Sequence, residues 1–375
     1  MGLRTQSGIV ATAAAAAVLL AAGCGGGHKA HPLVVGAVED AAKAGDPAAA
    51  MALARRAGFR AIVLSEVWTP PATSPDDAEL DRLRGAVTSA AAAGIRPIVA
   101  VYSFSGVTPL TDDARTQFAS FAASIPRALR QVKDVIVGNE PNLNLFWMPQ
   151  FAADGSDAAA AAYLSLLAQT YDALKAVDPH VNVIGGALAA RGSDKASGKR
   201  PTHSPTKFIE DLGAAYQASG RSKPVLDMFA LHPYPESYSV PPTFAHPKST
   251  SIGVADYDKL TRLLADAFGE SPPIAYAEYG IETTIPAGRA GAYTGMEPTA
   301  PVDAATQAQD YVDALRLAAC QPLVRMLLFF HVTDEPRLEG LQSGLFYADG
   351  EPKASLPTVA TAAQDAEGGK LKCLA

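Results

Sequence analysis

Short, β-rich apolar runs alternate with helical segments eight times along this chain, and that alternation constrains the fold more than any other feature. The strand candidates are 33–35, 61–64, 97–102, 135–137, 181–184, 226–231, 274–277 and 326–330. They are mostly apolar on both faces, as strands of a parallel sheet covered by helices must be. Between them, Asp46-Pro47, Ser74-Pro75 and Ser204-Pro205 each set a capping side chain before a proline suited to the first helical position. Gly58, Gly94 and Gly220 fall where those helices should stop. Apolar residues recur at three- and four-residue spacing over 158–176 and 304–319, and a last helix is expected near 358–366.

Eight strand–helix pairs imply a parallel sheet with right-handed crossovers, and eight such units usually close on themselves. The expected fold is therefore α/β, a (β/α)8 TIM barrel, with 32–375 as one domain. The competing doubly wound sheet would favour a G-x-G-x-x-G loop after its first strand. Here that place reads Gly36-Ala37-Val38-Glu39-Asp40.

Active sites of such barrels lie at the C-terminal ends of the strands. The successive ends deliver Glu39 and Asp40, Glu66 and Trp68, Tyr102, Asn139 and Glu140, then Gly185-Gly186, His232 and Tyr234, Glu278 and Tyr279, and Phe330 and His331. The fifth end, with its two glycines, offers no chemistry. The rest gather carboxylates and aromatic rings, which suits a polar, ring-shaped substrate. Trp68, Trp147, Tyr238 and Tyr293 are candidates to stack on sugar rings, with ordinary packing the competing role. Glu66 and Glu39 are candidates to bind a sugar hydroxyl, or else solvated loop charges.

Two carboxylates stand out: Glu140 in Gly138-Asn139-Glu140-Pro141, and Glu278 in Ala275-Tyr276-Ala277-Glu278-Tyr279-Gly280. Cleaving a glycosidic bond takes one group to protonate the leaving oxygen and another to trap the oxocarbenium-like centre. Strands four and seven stand three places apart round an eight-strand ring, so their carboxylates can meet across the mouth. Asn-Glu-Pro after the fourth strand, His232-Pro233-Tyr234 after the sixth and a Glu closing the seventh resemble the clan A glycoside hydrolases. That resemblance implies a (β/α)8 barrel acting with retention on a carbohydrate substrate, with no cofactor and no metal. It implies Glu140 as acid/base and Glu278 as nucleophile, with Asn139 on the sugar 2-hydroxyl and Tyr234 bonded to the nucleophile, helped by His232. Glu140 should be protonated at rest and Glu278 ionised. Many members of that clan have a Trp where this chain has Phe330-His331, and an Arg beside the nucleophile that has no clear counterpart here. A glycan-binding protein on the same barrel, without activity, is the alternative. Residues 233–254, rich in Pro, Ser and Thr, are expected to wall one side of the cleft.

The N-terminus reads as an export signal over 1–23: a single Arg4, then a small and apolar run too short to span a bilayer comfortably. Leu20-Ala21-Ala22-Gly23-Cys24 resembles a bacterial lipobox, with Ala21 where Leu is usual, which makes Cys24 either the acylated residue or an ordinary cysteine past the cleavage site. Residues 24–31 form a glycine-rich tether. The expected location is outside the cell, secreted or held at the membrane by the lipid anchor only. In an oxidising compartment Cys320 and Cys373 either bridge or remain two thiols. With 31 basic against 38 acidic residues and no basic run, nucleic acid is not an expected partner, and the chain is expected to be a monomer.

Overall fold

The structure is a computed structural model and describes residues 30–374; the signal segment, Cys24 and most of the tether lie outside the described residues. Eight parallel strands close in sequence order into a barrel, β1 pairing with β2 on one side and β8 on the other. They are β1 (Val34–Val38), β2 (Ala61–Val67), β3 (Arg96–Tyr102), β4 (Asp134–Val137), β5 (Asn182–Ala189), β6 (Met228–His232), β7 (Ile274–Tyr279) and β8 (Val324–Phe330). Around them run α1 (Ala41–Ala44), α2 (Pro47–Arg56), α3 (Asp77–Ala92), α4 (Asp112–Ala128), α5 (Ala159–Val177), α6 (Pro205–Ala218), α7 (Tyr257–Phe268), α8 (Ala304–Ala319) and α9 (Leu356–Glu367).

Strand side chains alternate between two cores, because successive residues point to opposite faces. Val38, Val63, Ile98, Ala100, Ile136, Ile184, Met228, Ala275, Ala277 and Leu328 fill the barrel interior. Val35, Ile62, Leu64, Val99, Val135, Leu231 and Leu327 face the helices. Both layers must be apolar, which is why the strands read as unbroken hydrophobic runs.

Several helix boundaries follow the expected chemistry. Asp46 accepts from Ala48 N–H and Ala49 N–H at the start of α2, and Ser204 caps α6 through Lys207 N–H. Gly58, Gly94 and Gly220 take left-handed φ of 83°, 67° and 62° just past α2, α3 and α6. Ser74-Pro75 does not open a helix: α3 begins at Asp77, where Asp76 accepts from Glu79 N–H. At the bottom of the barrel, buried Asp134 pairs with Arg96 and accepts from Asn182 Nδ2 at 2.8 Å. At the top, Lys353 Nζ lies 2.7 Å from Asp334 Oδ1 with both side chains fully buried, and Tyr293 donates to the other Asp334 oxygen. This network ties the segment after β8 to Thr283 in the loop after β7. Cys320, capping α8, is disulfide-bonded to Cys373 across a separation of 53 residues, which fastens the C-terminal tail to the body.

Candidate active site

Glu140 is placed by glycines. After β4 the chain turns at Gly138, whose φ is 88°. A Cβ there would stand 2.9 Å from the Tyr163 ring. That ring is pinned from α5, its hydroxyl donating to Val137 O at 2.7 Å and accepting from Gly186 N–H at 2.8 Å. Glu140 itself has a left-handed φ of 39°, a conformation that costs a non-glycine residue about 1–3 kcal/mol. Its N–H donates to Ala187 O at 2.8 Å. Ala187 is the extra residue of a bulge in β5, where Gly186 pairs with Ala230 and Leu188 with Leu231. The expectation that the fifth strand ends uselessly at Gly185-Gly186 is thus corrected: β5 runs on to Ala189, and its glycines build the bulge that holds Glu140. The next helix begins only at Ala159, so Glu140 is not a first-turn helix carboxylate.

Glu278 is placed by a second irregularity. Ala275 and Ala277 face the barrel interior, so strict alternation would turn Glu278 outward. Between Tyr276 and Tyr279, however, β7 advances one residue further than β8 does between Leu327 and Phe329. That bulge re-aims the side chain, a use typical of bulges beside active sites.

The two carboxylates converge on His232, which closes β6 and is 2% exposed. His232 Nδ1 lies 3.2 Å from Glu140 Oε1 and 3.6 Å from Glu278 Oε2. Tyr234 donates its hydroxyl to Glu278 Oε2 at 3.1 Å. Burial pushes the Glu278 carboxyl up to about 7; Glu140 adds to the rise, while His232 and the Tyr234 hydroxyl oppose it. Burial also opposes charge on His232, but Glu278 and Glu140 outweigh it and raise the imidazole above its ordinary value. The carboxyl that burial raises is thus the one expected from the sequence to act as nucleophile. Groups this close titrate together, so the proton belongs to the cluster.

Around this centre lie two cavities that share Glu140, Glu278 and Phe330. The smaller, 230 Å³, sits in the barrel mouth and is lined also by Asp40, Tyr102, Asn139 and His232. The larger, 690 Å³, is walled by Tyr234, Glu236 and Tyr238 from the loop after β6, by Arg191 and by Thr299. The 233–254 segment therefore does form one wall. A third cavity of 810 Å³ has Asp40, Ser65 and Tyr102 in common with the mouth but neither catalytic candidate.

Glu140, Glu278, Asn139, His232, Tyr234, Tyr102 and Phe330 are thus brought together. Phe330 occupies the end of β8, its ring edge-on to Tyr234 at 6.5 Å. Trp68 and Glu66 are not part of this group. Trp68 is fully buried, packs edge-on against Phe118 and donates its indole N–H to Ala72 O. Glu66 points out of the barrel wall toward Lys43, 3.0 Å away. The reason is parity: β2 continues to Val67, and Ala61, Val63 and Ser65 take the inner face. Glu39 also turns away, accepting from Thr333 N–H, whereas its neighbour Asp40 lines the mouth. Trp147 packs against Tyr163, and Tyr293 is committed to Asp334. Sequence reasoning missed Phe104 and Phe146, whose rings stack 5.6 Å apart at the rim beside Tyr102. Phe104 is 45% exposed and presents an apolar face to solvent.

No family model matches this chain, and no curated protein does. Solved structures do. A family 39 glycoside hydrolase from Bacteroides cellulosilyticus WH2 is 19% identical, with a TM-score of 0.63 over 89% of this chain and 64% of that one. An exo-β-1,4-mannosidase from Opitutaceae bacterium strain TAV5 is 17% identical, with a TM-score of 0.56 over 91% of this chain and 61% of that one. A glucosidase from Croceicoccus marinus is 14% identical, with a TM-score of 0.64 over 91% and 69%. The chain spans less than two thirds of the first two, and at such identities the likeness is one of fold: this is a (β/α)8 barrel of the shape that glycoside hydrolases use.

Proposed function

We propose that this chain hydrolyses O-glycosidic bonds of an oligosaccharide or polysaccharide with retention, through Glu278 as nucleophile and Glu140 as acid/base. One observation carries the reading: a single imidazole nitrogen touches both carboxylates, at 3.2 and 3.6 Å, in the mouth of the barrel. The two oxygens therefore stand no more than about 7 Å apart, which admits the roughly 5–5.5 Å separation of a retaining pair.

In this scheme Glu278 attacks the anomeric carbon while Glu140 gives its proton to the departing oxygen, and the C–O bond breaks. Water then attacks the glycosyl–enzyme ester; Glu140 takes its proton and Glu278 leaves as carboxylate. Water is the only co-reactant. Tyr234, and His232 when it carries a proton, favour the ionised form of Glu278, the part an Arg plays in the clan it resembles. Asn139 faces the same cavity and is assigned the sugar 2-hydroxyl, and Phe330, Tyr102, Phe104 and Phe146 offer ring faces to the apolar sides of sugars.

The test uses Glu140→Ala and Glu278→Ala on a panel of activated aryl glycosides. Glu278→Ala is expected to be inactive and to form a glycosyl azide of inverted configuration when azide is added. Near-wild-type turnover in that variant would sink the assignment. We further propose export, with acylation of Cys24 anchoring the enzyme to the outer face of the membrane. Palmitate labelling that persists in Cys24→Ser would refute the anchor.

A further inference from the structure

Behind the turn that carries Glu140, three side chains that take no part in glycosidic chemistry converge. Asp157 comes from the loop before α5, His203 from the loop before α6, and Asp211 from α6 itself. One potential ligand atom from each lies within 4.8 Å of the other two. His203 is 1% exposed, and the Asp157 side chain is 8% exposed.

In each carboxylate the protein already holds one oxygen. Asp157 accepts from Ala160 N–H at 2.8 Å through Oδ1, and Asp211 Oδ1 pairs with Lys207 Nζ at 2.8 Å. The second oxygens, Asp157 Oδ2 and Asp211 Oδ2, are buried and accept no hydrogen bond from the described residues. Asp157 Oδ2 lies 3.2 Å from His203 Nε2, and the backbone carbonyl of Gln150 lies 2.9 Å from the same nitrogen. Two bare carboxylate oxygens and one imidazole thus gather within 4.8 Å of one another, with the Gln150 carbonyl beside the imidazole. The 3.2 and 2.9 Å separations about His203 are of the size that neighbouring donor atoms show on the shell of an ion whose bonds are about 2.0–2.2 Å long. The contacts to Ala160 and Lys207 then do what outer partners of metal ligands do, fixing each carboxylate with its free oxygen turned inward.

We propose that Asp157, His203 and Asp211, with Gln150 O, form a binding site for a divalent transition-metal cation of the zinc type. The donor set selects the class: an imidazole among carboxylates suits zinc, whereas calcium prefers a larger shell made entirely of oxygen. The ion would act on position rather than chemistry. Gln150 Nε2 donates to Pro141 O at 2.9 Å, and Asn142 Nδ2 donates to His203 O at 2.9 Å. Pro141 and Asn142 are the two residues after Glu140, so a cation here fastens the loop after β4 to the loop after β5 and steadies the acid/base from behind. The site stands independently of the hydrolase reading.

The experiment strips the full chain with a chelator, reloads it with Zn²⁺, removes excess ion and counts zinc per chain by mass spectrometry, with thermal unfolding measured alongside. Wild type is expected to hold one zinc and to unfold several degrees higher with zinc than with chelator. Asp211→Asn, on a partly exposed helix face, is expected to lose both while keeping the wild-type circular dichroism. Glu278→Gln, and a variant with His28 and His31 both changed to Ala, are expected to keep both. Failure of wild type to retain zinc, or retention unaltered by Asp211→Asn, would overturn the site and leave an imidazole–carboxylate ion pair in its place.

Discussion

Removing the Tyr234 hydroxyl isolates what holds the nucleophile ready. In Tyr234→Phe the ring keeps its packing edge-on to Phe330, and Glu278 loses one donor at 3.1 Å. A hydrogen bond to a charged group contributes about 1.5–3 kcal/mol. This one is at the long end of the usual range, so the lower figure applies. At about 1.4 kcal/mol per pH unit, its loss raises the ionisation of Glu278 by roughly one further unit above the value near 7 that burial already imposes. Since the nucleophile must be ionised, the acid limb of kcat/KM is expected to move up by about one unit. Activity at pH 6 should fall about tenfold, and the deficit should narrow toward pH 9. The assay is kcat/KM on an aryl glycoside from pH 5 to 9. A Tyr234→Phe profile that superimposes on wild type, or one scaled down equally at every pH, would refute the claim that Tyr234 acts by stabilising the carboxylate.

Gly138→Ala combines a left-handed φ with a Cβ 2.9 Å from the pinned Tyr163 ring, and should cost about 2–4 kcal/mol in urea unfolding; an unchanged midpoint contradicts this. Because the folded-state ionisation of Glu278 is raised from 4.5 to about 7, the folded protein binds more protons than the unfolded chain in that window, and stability falls as pH rises through it. Glu278→Gln should therefore unfold at a higher temperature than wild type at pH 8, with the gain vanishing near pH 4. Lys353→Ala strands the fully buried Asp334 carboxylate and should destabilise the fold by about 3–5 kcal/mol, read by chemical denaturation.

The barrel is legible in the sequence because every strand is buried on both faces and so leaves a short apolar run. Helix ends were legible where a cap is local, as at Asp46 and Ser204; at Ser74-Pro75 the better cap two residues later, Asp76, prevails. The Asn-Glu-Pro and His-Pro-Tyr motifs and Glu278 marked the residues that meet in the mouth, since each stands at a strand's end, whereas Tyr279 turns outward to pack against Tyr311 and Phe329. Parity was harder to read. Glu66 lies in a strand that runs three residues beyond its apolar run, with Trp68 directly after it, and that extension decides which way Glu66 points. Counting inward from Val38 would have selected Asp40 over Glu39. Bulges break such counting altogether: the one in β7 turns Glu278 inward, and the one at Ala187 gives a glycine pair a role in holding Glu140. Phe104 and Phe146 meet across two loops, and no local pattern announces a contact of that kind.

The most direct test of the account follows the anomeric configuration of the first-formed product by proton NMR, using whichever aryl glycoside the panel identifies, before mutarotation scrambles it. Double displacement through Glu278 and Glu140 predicts that the initial hemiacetal has the anomeric configuration of the substrate. A first-formed product of opposite configuration would mean direct attack by water across a wider carboxylate gap, and would contradict the assignment of Glu278 as nucleophile.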